Sequence, residues 1–259
     1  MCSVPAHFSL LVATTMKLPL ILSVLFVTCG CFAQESSPAP EPNIMVKWAP
    51  TGLILGSASL QAEYNFGGRN SLTAKVGLPV TAKHRFTYED EKAQFNMKAT
   101  SFLAGYRTYF SRSKHVRGLY YEPFFKYVYH ASEGIANATI GSRNAVFDLM
   151  NTYTAFGVGV QLGAQFFIGK KFVIDFFFLG PEINSASNSF KAVEIGNRQP
   201  WTRNEARKVE GDSRQFLDRF PYIGKKIKVV ADKENKQLNA DYKGALPGIR
   251  TGVSIGFGF

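Results

Sequence analysis

The chain has 259 residues, of which 46% are hydrophobic, 14% aromatic and only 19% charged, which excludes disorder throughout and leaves room for one large domain or two small ones. Its formal charge of +11 is scattered over turns and one long polar segment with no basic stripe, so no nucleic-acid partner is expected. No apolar run of helix-spanning length occurs beyond the N-terminal region, so any membrane span in the body of the chain must be built from strands.

Residues 16–33 open with Met16 and Lys17, run through an apolar stretch, and end in small residues before Gln34. This is the layout of a secretory signal peptide, so residues 1–33 are expected to form a removed leader, cut after Ala33, with Met16 as the true start. Cys2, Cys29 and Cys31 all fall within it. The exported chain is then expected to lack thiols, and with them disulfides, thiolate metal sites and cysteine nucleophiles. Residues 34–43 are a polar, Pro-rich lead-in of the flexible kind. A single domain at 44–259 follows.

An irregular first strand is expected over 44–55, with Pro50 inside it. Over 57–66, Ala58, Leu60, Ala62, Tyr64 and Phe66 share one face, while Ser57, Ser59, Gln61, Glu63 and Asn65 share the other. That is the period of a strand with one apolar side. After the turn GGRN, residues 71–80 set Leu72, Ala74, Val76, Leu78 and Val80 against Ser71, Thr73 and Lys75. Further strands are expected over 99–110, 118–130, 152–167, 171–182 and 247–259. Their apolar faces carry Phe102, Tyr106, Phe125, Phe156, Val158, Val160, Phe176 and Ile255; their polar faces carry Arg107, Glu122, Lys126, Gln161, Asp175 and Arg250.

After the first bend the connections alternate in length, short at 67–70, 111–117 and 168–171, long at 82–98, 131–151 and 183–245. Eight antiparallel strands joined in this way make an all-β, up-and-down transmembrane β-barrel with a long extracellular last loop, ten strands being the alternative count. Ten tilted residues span roughly 25 Å, the height of an outer-membrane apolar band, and eight strands enclose only enough room for side chains to fill. The apolar faces are therefore assigned to lipid and the Ser, Gly, Gln and charged faces to the interior. Lys47, Glu63, Lys75, Arg107, Glu122, Lys126, Asp175 and Arg250 are expected to form a structural polar network there.

Catalytic and metal-binding chemistry finds little support. His84, His115 and His130 are isolated, with no spacing suited to a metal or to a Ser-His-acid set, and no phosphate-binding glycine pattern occurs. No catalytic residue, metal site or cofactor is expected. The segment 183–245 is basic, with a helix expected near 202–219 and a small hairpin at 226–242. Through Trp201, Phe216, Phe220 and Tyr222 it offers a surface for lipopolysaccharide phosphate, a glycan or a protein.

Taken together, the leader, the strand end YRTYF with its basic turn and RGLYYEPFFKY, the segment FPYIGKKIKV and the closing LPGIRTGVSIGFGF resemble a family of small Gram-negative outer-membrane β-barrels of the Bacteroidetes type, OmpA- or OmpX-like in size. The resemblance covers nearly all of the chain after the leader and implies a fold and an outer-membrane location, but no ligand. Phe257 and Phe259, closing an alternating apolar strand, look like the signal read by the barrel-assembly machinery. The function expected is structural or surface recognition through external loops, without catalysis. The alternatives are a narrow solute channel, a lipid-modifying enzyme with His130 as its base, and a soluble periplasmic ligand-binding barrel.

Overall fold

The computed structural model describes residues 42–88, 91–110, 116–141, 143–220 and 223–259. The leader with its cleavage point after Ala33, nearly all of the 34–43 lead-in, His115 and Tyr222 lie outside the described residues.

β1 (Ile44–Ala49) ends where Pro50 removes a backbone donor, and the chain turns through a 3-10 segment, Pro50–Leu55. The strand expected to continue to residue 55 is therefore cut to half its length. Gly56 stops the turn in the left-handed region, at φ 75°. Its carbonyl accepts from the Val80 and Ala99 amides at 3.0 and 2.8 Å. β2 (Ser57–Asn65) and β3 (Asn70–Pro79) follow as a hairpin. At its tip Asn65 Oδ1 accepts from the Gly67 and Gly68 amides at 3.0 and 3.2 Å.

β4 (Ala82–Tyr88) folds back on β5 (Glu91–Tyr109), and β6 (Gly118–Ile140), β7 (Arg143–Ile168) and β8 (Phe172–Ile195) run in succession. The helix α1 (Arg203–Leu217) and β9 (Lys228–Asp232) precede the last strand, β10 (Gln237–Gly258). All pairings are antiparallel, and β1 pairs with both β2 and β10. The order β1-β2-β3-β5-β6-β7-β8-β10 therefore closes into a ring. Of the ten strands among the described residues, eight make the ring, while β4 and β9 attach to β5 and β10 outside it. Both counts considered from the sequence have a place in this topology.

The ring is uneven in height. β1, β2 and β3 have 6, 9 and 10 residues, whereas β5, β6, β7, β8 and β10 have 19 to 26. The tall strands continue past the ring as an open sheet edged by β4 and β9. This corrects the three long loops expected at 82–98, 131–151 and 183–245: most of their residues are strand, and only 196–236 forms an inserted helix-and-hairpin unit. The helix expected near 202–219 and the hairpin at 226–242 are both present.

α1 starts at a capping box in which Thr202 Oγ1 accepts from the Glu205 amide and Glu205 Oε2 accepts from the Thr202 amide. Its Ala206, Val209 and Leu217 pack on a buried cluster of Ile140, Ala145, Phe147, Ala192, Trp201, Val229 and Leu238. Ala145 and Phe147 share their face of β7 with Gln161 and Gln165, which point into the ring. The inserted unit thus lies on the inward side of the open sheet.

The two faces of the ring have opposite chemistry. Phe156, Val158 and Val160 are 53%, 55% and 44% exposed, while the intervening Gln161 is 4% exposed. Leu60, Leu72, Phe102, Tyr106, Phe125, Phe176, Phe257 and Phe259 are likewise exposed, and Lys47, Glu63, Arg107, Glu122, Gln165 and Asp175 are buried. In the ring, then, the outer face is apolar and the inner face carries the buried charges.

Candidate functional site

Strand alternation places every one of the eight charged residues named from the sequence toward the ring interior, and five of them meet in one cluster. Lys47 Nζ donates to Glu63 Oε2 at 2.6 Å, to Asp175 Oδ2 at 2.8 Å and to Gln165 Oε1. The Arg107 guanidinium, fully buried, donates to Glu122 at 2.8 Å, Asp175 at 2.9 Å and Glu63 at 3.1 Å. It also stacks on Tyr120, 3.8 Å from the ring centroid. One planar cation with a fork of donors joins strands β2, β6 and β8 through their carboxylates, a geometry lysine cannot match.

The other carboxylate oxygens of the cluster are also engaged. Ser71 and Tyr109 donate to Glu63 Oε1 at 2.6 and 2.7 Å, Thr73 to Glu122 Oε1 at 2.5 Å, Gln161 to Glu122 Oε2 at 2.9 Å, and Tyr120 to Asp175 Oδ1 at 2.6 Å. Toward the short-turn end, Met45, Tyr109, Val116, Tyr120 and Val173 form an apolar floor, to which Gln165 is tied by a 2.9 Å bond to the Val116 carbonyl. Tyr109 and Tyr120 were not among the residues named from sequence. Their clue is the same alternation: Tyr109 lies two residues from Arg107 and Tyr120 two residues from Glu122.

The other three named residues stand apart from this cluster. Lys126 Nζ bonds Glu182 Oε1 at 2.5 Å nearer the tall end, with Asn184 also donating to that oxygen at 3.2 Å. Lys75 Nζ lies 5.3 Å from the centre of the Phe177 ring, and the Arg250 guanidinium lies 5.4 Å from Phe177 and 4.7 Å from Phe124. Glu182 escaped the sequence reading because of a bulge at Phe178–Leu179, where the register shifts between Leu162 and Gly163 of β7. The bulge exchanges the inward and outward faces of β8 beyond it.

Above the ring, a latch holds the inserted unit. Arg143, at the β6–β7 turn, donates to both Glu194 oxygens and to Glu205 Oε1 at 2.8 Å, and Trp201 Nε1 also bonds Glu194. Burial opposes the Glu194 charge, but the bonds from Arg143 and Trp201 outweigh it and hold the carboxyl below its ordinary range. The Thr202 amide, then Arg143, lower Glu205 as well. Both depressions give stability that is present above the normal carboxylate range and lost as the pH falls through the lowered values. The expected result is that Trp201 emission shifts to the red on acidification below about pH 4, and that Arg143→Ala moves this change to higher pH. Emission unchanged down to full carboxylate protonation would contradict the latch.

Among the described residues, no group of three or more His, Cys, Asp and Glu is placed to hold a metal. His84 contacts the Ile54 carbonyl at 2.9 Å. His130 lies on the inward face of β6, 6.3 Å from the Tyr153 ring. A cleft of about 270 Å³ is lined by Gln94, Asn96, Glu133, Gly134, Ile135 and Asp148, on the open sheet.

No family model matches the chain, and no curated protein or solved structure matches it.

Proposed function

We propose that the ring is an eight-stranded transmembrane β-barrel of the bacterial outer membrane, and that the tall sheet with its helical unit is an external platform for surface structure or recognition. The observation that carries this reading is the inverted arrangement: hydrocarbon-like side chains cover the outside of the ring while ion pairs fill its axis. On β7 the outward apolar stretch runs from Phe156 to Ile168, about 30 Å along the axis for tilted strands, close to an outer-membrane apolar band.

Aromatic pairs mark the band's edges, with Tyr64–Phe66, Phe110–Tyr121 and Phe172–Phe257 near the short turns and Phe125–Phe156 and Tyr127–Phe156 at the other margin. Beyond that margin the outward positions include Thr152, Thr154, Ser185, Ser187 and Ser189 alongside Met150, Ile135 and Ile195. In this reading the short turns face the periplasm, the leader directs export, and Phe257 and Phe259 are read by the assembly machinery. The platform faces lipopolysaccharide and an extracellular protein or glycan. It performs no catalysis and needs no cofactor.

Among the described residues, the apolar floor and the ion-pair layer occupy the lower part of the ring interior, which disfavours a solute channel. The barrel should migrate faster unboiled than boiled on a detergent gel and fractionate with outer membranes, and protease added to intact cells should cut within 196–236. A protein that is soluble without detergent, or cut only at the short turns, would overturn the proposal.

A further inference from the structure

Among the described residues, the ring interior carries five basic side chains, Lys47, Lys75, Arg107, Lys126 and Arg250, against four acidic ones, Glu63, Glu122, Asp175 and Glu182. All four acids are engaged: Glu63 and Asp175 by Lys47 and Arg107, Glu122 by Arg107, and Glu182 by Lys126. Among the described residues, Lys75 and Arg250 have no ion pair. Both lie against the Phe177 ring, with Lys75 Nζ 5.3 Å and the Arg250 guanidinium 5.4 Å from its centroid. Arg250 Nη1 is buried with no hydrogen-bond partner, and Phe124 packs on its guanidinium.

Two like charges held beside two aromatic rings in a low-dielectric interior are unfavourable, and arginine cannot relieve this by losing its proton. We infer that a small monovalent anion of the size of chloride binds between Lys75 Nζ and Arg250 Nη1. One negative charge neutralises the interior, where the five cations exceed the four carboxylates by one. The anion accepts the hydrogen bond that Nη1 lacks and separates the two cations. A dianion such as phosphate is disfavoured, since Glu182 Oε2, Gln161 Oε1 and Asn184 Oδ1 are buried acceptors without partners in the same interior. Those acceptors suit water. Water can complete the Arg250 hydrogen bond but cannot offset the surplus charge. The site rests on the ring interior alone and holds whether the ring lies in a bilayer or in a micelle.

The test uses the folded full chain in a neutral detergent at constant ionic strength. Bromide in place of gluconate should raise the thermal midpoint by several degrees in a saturable way, and Lys75→Met should abolish the difference. Crystals soaked in bromide should show an anomalous peak within about 3.5 Å of both Lys75 Nζ and Arg250 Nη1. Because the peak is sought in the unaltered protein, the inference stays testable even if the variant does not fold. Equal midpoints in the two salts, a bromide effect that survives Lys75→Met, or water alone at that position would overturn it.

Discussion

Arg107→Leu is expected to cost about 3–5 kcal/mol of folding stability, the usual penalty for removing one partner from a buried ionic cluster. The cost is concentrated at Glu122, whose ion pair among the described residues is with Arg107 alone. Glu63 and Asp175 keep Lys47. The guanidinium also fills the space against Tyr120, which leucine leaves partly empty. Arg107→Lys should fall between the two, because it restores a charge without the planar fork that serves three carboxylates from one centre. Urea unfolding followed by tryptophan emission measures this. A loss below about 1 kcal/mol for Arg107→Leu would mean that the cluster does not hold the strands together.

Gly256→Val should be as damaging for a different reason. Gly256 pairs with Lys47 at the seam where β1 meets β10, and a Cβ there would overlap the Val46 carbonyl oxygen and lie 2.6 Å from the Lys47 Cα. The obstructing atoms are backbone, so no rotamer change makes room, and β1, with only 6 residues, would have to leave the ring. The expected loss is at least about 3 kcal/mol, the upper end for overpacking. With β1 displaced, the unpaired edge of β10 is open to aggregation. Gly68→Ala is the control: nothing lies within 4 Å of its added methyl, and its effect should stay within about 0.5 kcal/mol. Equal midpoints for the two variants would remove the argument for a tightly closed seam.

How much of this was legible in the sequence depended on where the two faces of a strand differ. In the lower part of the ring, Leu60, Phe102, Phe125 and Val158 alternate with Gln61, Leu103, Phe124 and Gly157, and the outward apolar residues alone set the phase. That phase was enough to place Lys47, Glu63, Arg107, Glu122 and Asp175 together without knowing any contact. Past the ring the outward side of β8 becomes Ser185, Ser187 and Ser189 while its inward side holds Asn184 and Ala186. With no contrast between faces, period two disappears and a strand reads as a loop. The bulge at Phe178–Leu179 hid Glu182 by the same logic, since alternation counted from Asp175 points Gly180 and Glu182 outward. Tyr109 and Tyr120 were masked by their neighbours: each adjoins an outward aromatic, Phe110 or Tyr121, and composition does not tell a lipid-facing ring from one that donates its hydroxyl to a buried carboxylate.

The claim that the apolar face touches hydrocarbon can be read at a single position. Cys2, Cys29 and Cys31 are the only cysteines in the chain, so changing them to serine and placing a spin label at Val158→Cys gives one reporter on the outward face. In lipid bilayers, the label should collide with dissolved oxygen more often than with a water-soluble nickel chelate, and a label at Thr152→Cys, above the band, should show the opposite preference. Nickel contact exceeding oxygen contact at position 158 would contradict the account.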